Sequence, residues 1–273
     1  HFGMADSLKR ILIAEIDSVR LKGSQDIIVA EGFINSLAEK RVVVRKLYRL
    51  LRPGGLMILS TNDSIGAFIE SFKAVIAKRH CRRLRIGRLD DKVEAIRPFF
   101  EEDFESIPHS RPFAAWAKDV LLNPIASVIP SYDFDEIVAD LSDLAPVYHA
   151  SWPSYRPAND LRWHKCVQGK KDAMAPIVDC YRLRRASYLM GRILDERSAL
   201  RMMARPDRSI AYLPEVINAM RRARGGNADA VMTALRRVAG MARGPVKKLF
   251  TEMLAVFLKP DPATYRKCRL LRS

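Results

Sequence analysis

An α/β fold is predicted for the first part of this chain, followed by helices alone. Three observations carry that reading. Two apolar runs, "DIIVAEGF" (26–33) and "LMILST" (56–61), flank a stretch with helical spacing, and "RPGG" (52–55) punctuates between the helix and the second run. After Asn62 strand patterning is largely lost and amphipathic helical stretches take over. From Tyr181 to Ser273 there are 21 Lys+Arg against 7 Asp+Glu, whereas residues 1–180 have 26 against 24. The expected architecture is a partial parallel sheet with a helical insertion at about 64–146, then an all-α basic region over 160–273.

Taken in order, "ILIAEI" (11–16) reads as a short strand ending at Asp17, with 26–33 following after the turn-like "LKGSQ". "AEKRVVVRKLYRLL" (38–51) places Val42, Val43, Leu47, Leu50 and Leu51 at helical spacing, with basic residues crowding the last turn where they suit the helix dipole. Pro53 and the glycine pair stop that helix. The continuous apolar run 56–61 is of the kind buried on both faces of a parallel sheet, joined to the preceding strand by a right-handed crossover. Strand 26–33 is therefore expected beside 56–61, in parallel, with 11–16 flanking.

Helices are expected at 64–80, 90–104, 114–124 and 133–144, the last with Asp133 as N-cap and Glu136 three residues on. "VYHASW" (147–152) alternates like a half-buried strand, and "PSYRPAND" (153–160) marks a boundary between 1–155 and 160–273. Beyond it, 176–194, 213–223, 228–242 and 245–258 have helical apolar spacing.

The 273 residues, 48% hydrophobic and 29% charged, form an ordinary globular mixture with enough chain for a full core. No membrane partner is expected, because no apolar run approaches the ~18–20 residues needed to span a bilayer. Cys81, Cys166, Cys180 and Cys268 lack CxxC spacing and read as isolated reduced thiols, which fits a cytoplasmic protein. The sequence holds no Gly-x-Ser-x-Gly elbow, Walker loop or HExxH motif, and no metal site is expected. His109, His149 and His164 have no partner at metal spacing, and Trp116, Trp152 and Trp163 read first as core or rim.

Ligands of open parallel sheets bind beyond the carboxyl ends of the strands. Three such ends have polar or small residues: Asp17-Ser18, Glu31-Gly32 and Thr61-Asn62. A carboxylate there can accept hydrogen bonds from a ribose hydroxyl or an exocyclic amine, and Gly32 lets a ligand approach the backbone. Asp17 fits a turn-capping role equally well, and Glu31-Gly32 fits an ordinary strand-to-helix turn.

The run from Ala14 through Thr61, with Asp17, Asp26-Ile27-Ile28-Val29, Leu47, Leu51, "RPGG" and "LMILST" in that order, resembles the middle of a class I S-adenosylmethionine-dependent methyltransferase. In that family a strand ends in an acid at the adenine region of the cofactor. The next strand begins with an Asp, and a helix ending in "LrPGG" leads to an apolar strand. "HFGMADSL" and the pieces at 121–124, 131–137 and 150–154 are also similar, so the resemblance covers about 1–154. It implies a Rossmann-like sheet, S-adenosylmethionine as cofactor with Asp17, Ser18, Glu31 and Gly32 around it, and methyl transfer to an O, N or C acceptor, a small molecule first. The family's Gly-rich cofactor loop has no counterpart here. The resemblance would place it upstream of His1, so the expectation is an N-terminally truncated chain that binds no measurable cofactor by itself. Glu31 and His149 are the candidates for a general base, and the catalytic residues are otherwise unassigned. The stretch 64–146 would shape the acceptor pocket.

The alternative expectation is a non-catalytic, methyltransferase-like binding protein. Its basic helices, with pairs such as Arg184-Arg185, Arg221-Arg222, Arg236-Arg237 and Lys247-Lys248, would hold an acidic partner or nucleic acid.

Overall fold

The computed structural model describes residues 23, 25–106, 108–124, 131–141, 178, 181, 189, 212–222 and 228–272. The chain divides into two compact units, 1–60 and 61–273.

In the first unit, strand β1 (Gln25–Ala30) leads through a single 3-10 turn at Ile34–Ser36 to helix α1 (Lys40–Leu50), and strand β2 (Leu51–Leu59) follows without a break. β1 and β2 pair in parallel, Ile27 with Leu56, Ile28 with Met57, Val29 with Ile58 and Ala30 with Leu59. That is the pairing the apolar runs predicted, although β1 ends at Ala30 rather than at Phe33. α1 buries Val43, Val44, Leu47 and Leu50, a stripe at 3.6-residue spacing, and leaves Val42 exposed.

"RPGG" departs from the expected turn. α1 stops before it, and Arg52 to Gly55 are built into β2 as an irregular step, because Gln25 pairs with Leu51 while Ile27 already pairs with Leu56. Both glycines are required there. Gly54 has φ +79, and a Cβ on Gly55 would lie 2.9 Å from the carbonyl of Gln25. Arg52 pairs with Asp26 across the step.

The expectation that 56–61 is buried on both faces is corrected. Ile27, Val29, Leu56 and Ile58 point away from α1 and are exposed, Ile27 at 60% and Leu56 at 52%. Continuous apolar sequence cannot tell two covered faces from one, since it is the neighbouring layer that decides. The expected strands 11–16 and 147–152 lie outside the described residues.

The regular elements described in the second unit are all helices: α2 (Phe68–Arg83), α3 (Leu89–Glu105), α4 (Phe113–Trp116) running into a π turn at Ala117–Leu121, α5 (Phe134–Leu141), α6 (Leu213–Arg222), α7 (Ala228–Met241), α8 (Gly244–Leu258), α9 (Pro262–Arg266) and α10 (Arg269–Arg272). α7 packs on α6 and α8, while α2 packs on α3, α6 and the π turn. One core joins Phe68, Phe72, Phe100 and Leu121 to Val216, Leu235, Phe250 and Tyr265, with Phe68 and Phe250 ring centroids 5.8 Å apart. The expected 155/160 boundary lies outside the described residues, and the described helices on its two sides share this core.

A polar knot sits inside that core. Asp103, buried on α3, accepts from Lys73 Nζ at 2.9 Å, from Arg272 Nε at 2.9 Å and from the Tyr265 hydroxyl. The two cations and the phenol satisfy a carboxylate that would otherwise be costly to bury. α10 is capped from the side: Glu252 Oε2 accepts from the backbone N–H groups of Leu270 and Leu271 at 2.8 and 3.0 Å. At α5, Glu136 accepts from the Asp133 N–H at 2.8 Å, as in the predicted capping box. The Asp133 carboxylate accepts from Ser64 N and Oγ, both at 2.7 Å.

Candidate functional site

The carboxyl edge of the β1–β2 pair gathers three polar groups from two segments. β1 ends at Ala30, and the chain turns at Gly32, where φ is +75, a conformation that glycine adopts without strain. The Gly32 N–H then donates to Ser60 Oγ at 3.0 Å, and Ser60 N donates back to the Ala30 carbonyl at 3.1 Å. The two strand ends are thereby tied into one rim. Glu31 stands on it exposed, with no hydrogen bond or ion pair among the described residues.

Beyond the rim, the loop folds into the Ile34–Ser36 turn, closed by Ser36 N on the Phe33 carbonyl at 2.9 Å. Ile34 anchors the turn in the core of the unit. Beside it, Asn35 Oδ1 is buried and has no hydrogen-bond partner among the described residues. A buried acceptor without a donor is uncommon in folded proteins.

Sequence reasoning singled out Glu31 and Gly32 for this rim and did not single out Ser60 or Asn35. Ser60 falls within a run read as strand, yet it stands one residue beyond the last paired position. A polar residue just after an apolar strand was the available signal. Asn35 carries no local signal, because "FINSL" reads as ordinary loop. Asp17 and Ser18 lie outside the described residues, as does His149.

Chemically, the rim offers a carboxylate acceptor, a hydroxyl and open backbone at Gly32. That set can receive hydroxyl or amine donors, and it contains no nucleophile–base pair. Among the described residues, no group of His, Cys, Asp and Glu is placed to hold a metal ion. His109 faces Glu105 at 3.8 Å and lies against Phe104, and Trp116 packs on Phe104 and Phe113. Cys81 and Cys268 are free thiols, both buried. No described helix is long and apolar enough to cross a membrane.

The basic C-terminal residues divide. Arg237 is spent on Glu215 at 3.1 Å and on the Tyr212 ring, and Arg272 on Asp103 and Glu102. Arg221 is half-buried, its pKa lowered by burial despite Asp133 and Glu136 nearby. Lys247, Lys248, Arg266, Lys267 and Arg269 are exposed. Comparison with family models, with curated proteins and with solved structures finds no match.

Proposed function

We propose that this chain belongs to an S-adenosylmethionine-dependent methyltransferase and transfers a methyl group to an oxygen, nitrogen or carbon acceptor, a small molecule first. The observation that carries the reading is the parallel β1–β2 pair joined by α1, with Glu31, Gly32 and Ser60 gathered at its carboxyl edge. Parallel sheets bind ligands at that edge. In this reading the pair is part of a larger Rossmann-like sheet, and Glu31 with Asp17 and Ser18 receives donors from the adenosine end of the cofactor.

Methyl transfer asks the protein chiefly to hold the acceptor in line with the sulfonium methyl, so orientation supplies most of the rate. Glu31 is exposed at the rim and is one candidate base for a protonated acceptor, His149 being the other that the sequence offers. A cytoplasmic setting belongs to the same proposal.

The second reading, a non-catalytic binding protein of the same ancestry, draws on the exposed Lys247, Lys248 and Arg269. Calorimetry with S-adenosylmethionine separates the two. The enzyme reading expects no measurable binding by residues 1–273, which contain no Gly-rich loop, and binding by a longer chain in which such a loop is supplied ahead of them. Each missing charge-assisted hydrogen bond costs about 1.5–3 kcal/mol, so losing two or three weakens binding roughly 10³-fold or more. In the longer chain Gly32→Val and Asp17→Ala should each weaken binding. Absence of binding by the longer chain sinks the enzyme reading, and micromolar binding by 1–273 would mean the cofactor site is misplaced.

A further inference from the structure

From Lys78 to Arg88 the chain carries six Lys and Arg and no Asp or Glu. Lys78 is turned inward, donating to the Asn123 carbonyl at 2.9 Å. The other five lie on the last turns of α2 and the link to α3, with Arg82, Arg83, Arg85 and Arg88 exposed. Arg79, Arg83, Arg85 and Arg88 make no ion pair among the described residues.

The α8–α9 turn lies alongside. Arg79 rests its guanidinium 4.4 Å from the Phe257 ring centre, and His80 Nδ1 donates to the Pro260 carbonyl at 3.1 Å. That bond brings exposed Lys259 to the same corner. The nearby acids are occupied or few. Asp90 pairs with Lys118 at 2.6 Å, Asp261 caps Thr264 at 2.9 Å, and Asp91 is exposed.

The backbone supplies an independent sign. α2 ends in a paired-bond turn, Arg85 N to the Arg82 carbonyl at 2.9 Å and Ile86 N to the Cys81 carbonyl at 3.0 Å. The left-handed residue of such a turn is most often glycine. Here it is Arg85, φ 55, although Gly87 stands two residues on. A strained arginine held at an exposed corner is a reason to look for a partner.

We propose that Arg79, Arg82, Arg83, Arg85, Arg88 and Lys259 form a surface for the phosphodiester backbone of a nucleic-acid duplex. Five of the six cations are arginine, whose planar fork suits phosphate oxygens. The one ring within 78–88, His80, is buried, so there is no platform on which a single strand can stack. An anionic membrane fits less well. α2 buries its apolar face, Phe72, Ile76, Ala77 and Cys81, in the core, leaving no helix face to insert. Exposed Leu84, Leu89 and Leu258 are single residues of a kind common on surfaces. The surface is distinct from the C-terminal arginine pairs and does not rest on the methyl-transfer reading.

The test is fluorescence anisotropy of a labelled mixed-sequence DNA duplex with the full chain across a salt series, helicity being checked by circular dichroism. Affinity should fall with salt, and Arg83→Glu/Arg85→Glu should weaken binding at least tenfold and lower the log–log salt slope by about 2. Arg85→Gly, which suits the left-handed turn, should keep the fold and still weaken binding severalfold. Lys247→Glu/Lys248→Glu removes the same net charge at the start of α8 and should matter much less. Equal loss in the two double variants would assign binding to net charge alone and overturn the proposal. No duplex binding would overturn it too, as would phosphatidylserine vesicles showing the Arg83/Arg85 dependence while the duplex does not.

Discussion

α1 covers one face of the β1–β2 pair and nothing among the described residues covers the other, where Ile27, Val29, Leu56 and Ile58 stand exposed. In the helical unit, by contrast, Phe68, Phe72, Phe100, Phe250 and Tyr265 are fully enclosed, and even a carboxylate is buried with its full set of donors. Among the described residues the first unit has two strands and one helix, an arrangement that buries little apolar surface, while the described helices bury far more. The difference lies in what each unit leaves open: the β1–β2 pair has polar groups exposed at its carboxyl edge, whereas the described helices enclose even their carboxylate.

The largest effect is expected at Asp103. Asp103→Ala leaves Lys73 and Arg272 facing each other without their shared anion, and breaking a buried pair this way costs about 3–5 kcal/mol. Denaturant unfolding followed by helical ellipticity measures it. Hydrogen exchange at the β1 amides is the counterpart, expected to change much less. Equal acceleration in both would show that the two units open as one.

Within the first unit, Leu47→Ala on the buried face should cost about 2–3 kcal/mol, while Ile58→Ala on the open face should stay within about 0.5 kcal/mol. Exchange of the amides of residues 27–30 reports both. Equal costs would mean the open face is covered by another layer. Gly55→Ala should also destabilise this unit, since its Cβ meets the Gln25 carbonyl at 2.9 Å. By the same readout Gly54→Ala should cost about 1 kcal/mol through its positive φ alone.

Much of this was legible in advance. Apolar runs with a helix between them predicted the parallel pair, and periodicity placed α1, α2, α3 and α5 to α8 within a few residues. What escaped was set by partners remote in sequence. "RPGG" contains every residue of a turn, yet it is drawn into β2 because Gln25 and Asp26 stand opposite. Burial of 56–59 on one face only depends on a layer, which no local pattern encodes. α9 and α10 are 5 and 4 residues long, too short for a period, and exist because Asp261 and Glu252 cap them. At the candidate site Glu31 and Gly32 announced themselves by position. Ser60 entered only because β1 brings Gly32 to it.

The smallest expected effect is a pH dependence confined to the helical unit. Burial first, and the Glu252 carboxylate second, push the Cys268 thiol from the usual 9.0 up to about 11. Tyr265 moves the same way, through burial and then the charge of Asp103. For both groups the folded state holds its proton where the unfolded state has released it. Their stability contribution is therefore complete below about pH 9, and the Cys268 share is lost as pH rises from 9 to 11. Lys78 acts with the opposite sign. Burial, then Arg82, lowers it from 10.5 to about 8, so stability grows between pH 8 and 10.5, where the folded lysine has released a proton that the unfolded one still holds. Urea midpoints at pH 8, 9, 10 and 11 separate these contributions. Cys268→Ala should flatten the decline between 9 and 11, and Lys78→Met should remove the gain between 8 and 10.5. The same decline in Cys268→Ala as in the parent would mean the thiol ionises freely, and that the pocket lined by Glu252 and Thr264 is open to water.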